Sequence, residues 1–467
     1  MSEDKSANRI SRRTVIKGAA AGAAAATLTA CQPKIVEVTK VVEKVVEKEV
    51  EKQVTVEVAK GPKEVKITVS GWVDTQWSVS KRANEYNASQ DKVRITIIPM
   101  PSEWTTKVMS QIEKGAPTWD GHLTHHPFRV AVQWLAQGLI QPIDDYLETS
   151  QVLDMDDFWG DCIDPDLIKW DCSVKGKVVG IPLGIDTCCQ GFRADLMKEA
   201  GLPHTREDFM KARSWGEIQN WAVDLREKFK SDGVWGITTW QVYHQGLGAI
   251  YQSIAKDLYY PDGLIKFDSE EMQQALKIQS EWSWTGVAPT PAFDAKAFTN
   301  GKSVLWQGQV GVNGAAQRAW GKDRVPDALP VQAEEGGTGG NQWYTTCGYV
   351  LNKCQNPQEV VDFYLWMFGP QSDVNAQHCL QYNWFPVFKS QWEKQIDPNP
   401  ENQWAKDFLP QFLKAELVPR NPYYEIEQST AMKYCELANV KKVTIEEGCQ
   451  KMMDEIKDKV SKLKIEW

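Results

Sequence analysis

The sequence predicts an α/β protein built around a parallel sheet. Segments with strand-like alternation, such as Val65–Val69 and Val93–Ile98, alternate with amphipathic helical segments such as Lys81–Ser89. The chain has 467 residues, of which 42% are hydrophobic and 25% are charged, and this balance is typical of globular proteins. At about 100–200 residues per domain, the length predicts two or three domains.

The net charge and the aromatic content exclude some classes of function and favour others. The formal net charge is −9, which argues against a nucleic-acid binder, because such a protein needs a basic face to displace counterions from phosphates. The chain contains 21 Trp, compared with 14 Phe and 13 Tyr. This surplus of Trp predicts flat aromatic surfaces that take part in recognition.

The N-terminus has the features of an export signal. Ser11–Lys17 contains paired arginines, a short apolar run follows at Gly18–Ala26, and Leu28–Cys31 resembles a lipobox. The run is too short to span a bilayer, so we interpret residues 1–31 as a twin-arginine signal peptide whose Cys31 becomes lipidated. An uncleaved or differently cleaved secretory signal is the alternative. Both interpretations place the protein outside the cytoplasm, and the first anchors it to the outer face of the cell membrane.

Residues 32–63 form a spacer rich in Val, Glu and Lys. Within it, residues 41–52 repeat a four-residue pattern that ends in Glu-Lys. A helix would bring Glu residues to unfavourable i,i+4 spacing, and Val favours extended chain, so we interpret the spacer as a tether. A short coiled coil is the alternative.

Polar and aromatic residues follow the first and third predicted strands. Trp72 and Asp74 come after the first strand, and His125 and His126 come at the exit of a third, Trp119–His126. Ligands of open α/β sheets bind beyond the carboxyl ends of the strands, so these residues are candidate ligand contacts.

Several segments in a consistent order carry a family resemblance that extends over nearly all of residues 64–467. They are Lys107–Asp120, Ala136–Asp145, Gly176–Asp186, Phe192–Leu196, Ala200–Pro203, Ser214–Glu217 and Phe298–Leu305. Together they resemble the extracellular solute-binding proteins of ABC importers, in the sugar-binding branch (family 1) related to maltose-binding protein.

The resemblance implies a periplasmic-binding-protein-like fold. Two lobes, each with a central β-sheet flanked by helices, would be joined by a multi-segment hinge and would close on a ligand between them. The expected N-terminal lobe comprises residues 64–183 and 304–352, and the expected C-terminal lobe comprises 186–301 and 353–467. The chain would cross between the lobes near 183–186, 301–304 and 351–355.

A cleft that binds sugar needs aromatic platforms and planar hydrogen-bonding groups. The candidate ligand-binding residues are Trp72, Asp74, His125, His126, Asp186, Trp240, Trp306, Gln307, Trp343, Trp384, Tyr423 and Tyr424. Core packing is the alternative for each Trp, and a local cap or turn is the alternative for Asp74 and Asp186. Trp on predicted helices are assigned to the core instead: Trp134, Trp159, Trp221 and Trp366.

Motifs for catalysis and cofactors are not convincing. Gly301-Lys302-Ser303 ends like a phosphate-binding loop, but Lys296 stands where that loop requires glycine. The histidines at 122, 125 and 126 lack the spacing typical of a zinc site on a helix. We therefore expect no catalytic residues, no metal and no cofactor.

Ten cysteines leave the disulfide pattern open. With Cys31 lipidated, nine remain, so at least one thiol is unpaired. Cys162–Cys172 and Cys347–Cys354 would close short loops, but connectivity does not follow from sequence. Several buried free thiols are an equally good interpretation.

Together these features predict a lipid-anchored monomer that captures a carbohydrate and delivers it to the permease subunits of an ABC importer. A receptor for a polyamine or a polyol phosphate is one alternative. A secreted carbohydrate-active enzyme, or a surface glycan-binding protein without an importer, is the other.

Overall fold

The computed structural model describes residues 61–100, 119–124, 127–240, 246–290, 294–332, 343–412 and 421–463. The signal peptide with Cys31, nearly all of the spacer, and both His125 and His126 lie outside the described residues.

Ten strands account for the β structure of the described residues. They are β1 Lys63–Ser70, β2 Val93–Met100, β3 Gly121–Thr124, β4 Ser173–Val174, β5 Lys177–Val178, β6 Gly180–Phe192, β7 Trp235–Thr239, β8 Ser303–Gln309, β9 Leu329–Pro330 and β10 Trp343–Val350. The main sheet has the order β2-β1-β3-β10-β6-β8-β7, and β9 pairs with β6. The strands expected at Val65–Val69 and Val93–Ile98 are confirmed, and the expected third strand corresponds to β3.

Helices cover much of the rest of the described chain. The α-helices are α1 Gly71–Trp77, α2 Val79–Ser89, α3 Pro127–Ala136, α4 Asp144–Thr149, α5 Met155–Gly160, α6 Pro165–Asp171, α7 Ala194–Glu199, α8 Arg206–Ala212, α9 Trp215–Phe229, α10 Leu247–Ile254, α11 Glu270–Trp284, α12 Ala295–Thr299, α13 Val310–Trp320, α14 Pro357–Phe368, α15 Asp373–Gln381, α16 Lys389–Gln395, α17 Leu409–Phe412, α18 Tyr424–Asn439 and α19 Ile445–Ser461. Two 3-10 helices span Lys230–Asp232 and Pro400–Asp407. Among the described residues, no helix combines the length and the apolar character that crossing a bilayer requires.

The long strand β6 is shared by two halves of the sheet. Its residues 180–187 pair with β10, and its residues 188–192 pair with β8. We call β1, β2, β3, β10 and residues 180–187 the first lobe, and β7, β8, β9 and residues 188–192 the second lobe. The α/β architecture is confirmed, but the sheet is mixed, because β10 and β6 run antiparallel to their neighbours.

Two hydrophobic clusters form the core. The first contains β1 side chains such as Ile67 together with Phe363 of α14, and it extends to Val310 of α13. The second contains Leu225 of α9 and Met452 of α19. Helix α13 also packs against β6, β8 and α12, so it lies where the two lobes join.

The strand pairings divide the chain differently from the division expected from sequence. Strand β8 pairs with β7, and β9 pairs with β6, so these two strands join the second lobe, although the sequence placed residues 304–352 in the N-terminal lobe. Helix α14 packs on β1, β6 and β10. It therefore belongs to the first lobe, although the sequence placed its residues in the C-terminal lobe. Helices α18 and α19 pack with α11 in the second lobe. The sequence alone does not reveal which sheet half a helix covers.

The four Trp that the sequence assigned to the core differ in burial. Trp134 and Trp221 are buried, whereas Trp159 and Trp366 are half-buried. No disulfide links any of the nine cysteines in the described residues. Cys347 lies 3.7 Å (Sγ–Sγ) from Cys172, rather than forming the short loop with Cys354 that its sequence position suggested.

Candidate functional site: the strand ends around Asp186

The strand ends of both lobes meet near the middle of β6. Strands β1 and β3 are parallel, and both β3 and β6 run antiparallel to β10, so β1, β3 and the first part of β6 end at the same edge. In the second lobe, β7 and β8 are parallel, and Cys188 of β6 pairs with Gln309 at the end of β8. The edge where α/β sheets bind ligands therefore passes through residues 186–188.

Asp186 is the buried carboxyl group at this junction. It is fully buried, and its Oδ2 accepts a hydrogen bond from Gln309 Nε2 at 2.6 Å. Its Oδ1 accepts a hydrogen bond from the Thr187 N–H at 2.8 Å. Burial raises the pKa of Asp186 to about 7, against the opposing effect of these two hydrogen bonds. Near neutral pH this group can therefore accept or donate a hydrogen bond.

Three tryptophans form what we call the first aromatic group: Trp72, Trp77 and Trp384. Trp72 stacks on Trp384 with ring centroids 5.9 Å apart and an interplanar angle of 27°. Trp77 meets Trp384 edge-on at 4.9 Å and 86°. Trp384 and Trp77 are buried, whereas Trp72 is half-buried.

Backbone pairing places the first aromatic group beside Asp186. Phe385 forms an isolated antiparallel β-bridge with Ile185. Trp384 is therefore adjacent to the segment that carries Asp186. Trp72 reaches the same place because β1 ends at Ser70 and α1 begins at once with Gly71. Both Trp72 and Asp74, which the sequence placed after the first strand, are therefore carried by a helix.

The second aromatic group consists of Trp240, Trp306 and Phe298. Trp240 meets Trp306 edge-to-face at 6.2 Å and 89°, and Trp306 stacks on Phe298 at 5.9 Å. Trp306 is buried and donates its Nε1 hydrogen to the Gln309 carbonyl at 3.2 Å. Trp240 is half-buried, and its Nε1 has no hydrogen-bond partner within the described part of the chain.

Buried polar groups lie next to the second aromatic group. Neither Nε2 nor Oε1 of Gln307 or of Gln279 is paired within the described ranges, and the same holds for Thr239 Oγ1. Gln307 and Thr239 are register partners on β8 and β7. A methyl group added at Gly246 would lie 3.3 Å from Thr239 Oγ1 and 3.4 Å from Gln279 Nε2, which shows that these two side chains converge. An unpaired buried polar group costs about 1–3 kcal/mol, so this cluster is suited to receive hydrogen bonds from a ligand or from water.

The remaining candidates have local partners or lack described side chains. Asp74 accepts hydrogen bonds from Ser80 N at 2.7 Å and from Ser80 Oγ at 2.9 Å, which is a capping role at the start of α2. Tyr424 is buried and donates its hydroxyl hydrogen to Gln428 Oε1 at 2.6 Å. Tyr423 is half-buried and packs against the second hydrophobic cluster.

Trp343 begins β10 opposite Thr187, one position from Asp186, and only its backbone is described.

Sequence reasoning missed Gln309, Gln279 and Trp77. Gln309 ends a strand, so the rule that selected Trp72 would also have selected it. Gln279 lies within α11, where it looks like an ordinary polar residue of an amphipathic helix. Its proximity to β7 depends on tertiary packing, so no local signal identifies it.

The described residues contain no group of three or more His, Cys, Asp or Glu side chains that could hold a metal ion. His122, a weak metal candidate in the sequence, is buried with its Nδ1 at 2.9 Å from Thr68 Oγ1. Burial lowers the pKa of His122 to about 3, so its ring is neutral.

The fold is that of the two-lobed periplasmic-binding-protein-like proteins. A family model described as bacterial extracellular solute-binding protein matches residues 78–374, and the chain belongs to this family. No curated protein sequence matches the chain.

Solved structures with the same fold include several sugar complexes. The maltose-bound MalE3 protein of T. maritima has a TM-score of 0.69 at 16% identity and covers 85% of this chain and 99% of its own. A substrate-binding protein from Listeria monocytogenes in complex with cycloalternan has a TM-score of 0.72 at 16% identity, covering 86% and 99%. One from Agrobacterium vitis with bound D-mannitol has a TM-score of 0.67 at 16% identity, with the same coverage. At these identities the likeness establishes the fold.

Proposed function

We propose that this protein captures a carbohydrate at the strand edge around Asp186 and delivers it to an ABC importer. The observation that carries the proposal is the pair of aromatic groups on either side of the Asp186–Gln309 hydrogen bond. Sugar rings present flat C–H faces that pack on aromatic rings, and their hydroxyls need groups that both donate and accept. The unpaired amides of Gln307 and Gln279 are such groups.

Ligand capture would draw the lobes together. A ligand that contacts both Trp72 in the first lobe and Trp240 in the second favours the closed arrangement, because only that arrangement offers both contacts. Maltose, cycloalternan and D-mannitol, bound by proteins of the same fold, support a polyhydroxylated ligand. The role is one of binding without catalysis.

Export and anchoring complete the proposal. The family is extracellular, and the segment Leu28–Cys31 supports a lipid anchor on the outer face of the membrane. Incorporation of labelled palmitate into the protein, and its loss in Cys31→Ala, is the expected result. Equal labelling of both proteins would contradict the anchor without touching the binding proposal.

The binding test is a thermal-shift screen of the full-length protein. The panel contains mono- and oligosaccharides, polyamines and polyol phosphates. A ligand specific for the folded state adds about 2.7 kcal/mol of stability at a hundredfold excess over Kd, so the right class raises Tm. A shift with one family of sugars, without product formation on prolonged incubation, is expected. A shift only with polyamines or phosphates, or hydrolysis of the sugar, would contradict the proposal.

A paired variant links the shift to the site. Gln307→Met removes the unpaired amide but keeps the volume, so we expect the sugar-induced shift to fall while the unliganded protein gains about 1 kcal/mol of stability. The exposed Gln274 of α11 supplies the control Gln274→Met, which should leave the shift unchanged. Equal shifts in both variants would place the ligand elsewhere.

A further inference from the structure

A cavity lies beside the C-terminal part of α13. It has a volume of about 510 Å³ and is lined by the C-terminal part of α13, the end of α15 and the 3-10 helix Pro400–Asp407. None of the candidate ligand-binding residues around Asp186 lines it. Ligand pockets commonly measure about 300–1,000 Å³, so the cavity has room for one or two sugar units.

Helix α13 connects this cavity to the strand edge. Its preceding residue Gln309 bonds Asp186. A Cβ at Gly311 would lie 3.1 Å from Trp384 Nε1, and a Cβ at Gly314, one turn further, would lie 3.1 Å from the side chain of Asn383. The absence of side chains at both glycines lets the segment 382–384 pack closely against the helix. The cavity begins at Gly314 and extends along the next turn.

Amide groups dominate the cavity wall. Asn383 is 3% exposed, and its Nδ2 has no hydrogen-bond partner among the residues that the structure describes. Gln377 and Gln381 are exposed and four residues apart on α15, so they share one face of that helix. Asn399 and Asn402 both donate from Nδ2 to the Gln395 carbonyl, at 2.9 and 2.7 Å, which leaves their carbonyl oxygens as acceptors.

The two cationic side chains of the wall contact other parts of the protein, and the wall also carries the exposed carboxylate of Glu401. Arg318 lies over the Tyr382 ring at 4.1 Å and donates to the Gln381 carbonyl at 2.8 Å. Lys322 forms an ion pair with Asp327 at 3.0 Å. Charges of both signs are therefore present in the wall, and Asn and Gln side chains outnumber them, which favours an uncharged ligand.

We propose that this cavity is a second binding site, for a neutral polyhydroxylated compound such as a sugar unit or a polyol. Amides recognise hydroxyl groups because a hydroxyl donates to the amide oxygen and accepts from the amide N–H. The unpaired Nδ2 of Asn383 gains a partner when such a ligand binds. Trp404, 4% exposed in the same wall, contributes apolar surface. The site does not depend on the proposed function of the strand edge.

Ligand-observed saturation-transfer NMR on the full-length protein tests the proposal, with sorbitol and maltotriose as probes. The double variant Gln377→Ala/Gln381→Ala removes two exposed amides from a helix in which alanine is well tolerated, so the fold is retained. We expect Kd for at least one probe to rise about tenfold, the equivalent of 1.4 kcal/mol. The matched control Gln137→Ala/Gln274→Ala removes two exposed glutamines elsewhere and should leave that Kd unchanged.

The variant Trp72→Ala separates this site from the strand edge. Binding that is weakened by the α15 double variant and retained in Trp72→Ala supports the second site, even if the proposed function fails. Binding that depends on Trp72 alone, or no binding of either probe, overturns it. A probe that binds all variants equally also overturns it, because the α15 amides would then make no contact.

Discussion

The two aromatic groups on either side of Asp186 share a plan but differ in what surrounds them. Each pairs a fully buried ring with a half-buried one: Trp384 with Trp72, and Trp306 with Trp240. The first pair is stacked at 27°, and Trp77 supports it; the second is edge-to-face at 89°. Unpaired polar atoms adjoin both pairs: Asn383 Nδ2 and Gln76 Oε1 lie next to the first group along the chain, and the complete amide of Gln307 adjoins the second. The comparison indicates that the two lobes differ mainly in ring geometry, with a stacked platform in the first and an edge-to-face pair in the second.

The largest expected effect is a loss of stability when one of the two buried rings is removed. Trp384→Ala and Trp306→Ala should each lower the free energy of unfolding by about 3–5 kcal/mol, because each leaves a large cavity in a packed core. Urea denaturation measures the change. A loss below about 1 kcal/mol, together with lost ligand affinity, would show that the ring is a ligand contact instead.

Ligand affinity should respond to the half-buried rings. Trp72→Ala and Trp240→Ala should each raise Kd for the sugar identified in the thermal-shift screen about tenfold or more, because each removes a ring that can stack on sugar. Titration calorimetry measures both. The half-buried Trp159 of α5 provides the control Trp159→Ala, which should leave Kd unchanged. A larger effect of Trp72 than of Trp240 would identify the first lobe as the main platform.

Stability should depend on pH through the carboxyl group between the two aromatic groups. The pKa of Asp186 is about 7 in the folded protein, above the value of about 3.9 for an exposed aspartate. The folded state therefore retains a proton that the unfolded state has released between about pH 4 and pH 7. The free energy of unfolding falls as pH rises through this range.

The variant Asp186→Asn isolates this dependence. Asparagine mimics the protonated carboxyl group, so the stability of the variant relative to wild type should increase from pH 5 to pH 8, as measured by denaturation at both values. Burial also raises the pKa of Glu427 to about 7, so the difference between the proteins is the informative quantity. A difference that is constant with pH would show that Asp186 is ionised throughout.

The smallest expected effect concerns Asp74, two residues from Trp72. Asp74→Ala should destabilise the protein by about 1 kcal/mol, because it removes the cap on Ser80 at the start of α2. Kd should change by less than twofold in the same titration. A tenfold loss of affinity with unchanged stability would instead assign Asp74 to the ligand.

Local patterns predicted the strands well, and long-range pairing explains what they missed. Alternation identified β1 and β2, and the strand-end rule identified Trp72, because these features depend on neighbouring residues. The position of β8 depends on its pairing with β7, about 68 residues away in sequence. The burial of Trp306 depends likewise on Phe298 and on the opposing strand, so sequence could not decide whether this ring belongs to core or cleft.

The continuity of β6 across both lobes has a consequence for how the protein unfolds. Both halves of the sheet use consecutive residues of one 13-residue strand, so neither half is complete once that strand is released. Loss of the β8 pairing exposes the end of the same strand that holds β10. We therefore expect the two lobes to melt together in a single calorimetric transition, with the calorimetric enthalpy equal to the van't Hoff enthalpy, even if the proposed closure moves them as separate bodies.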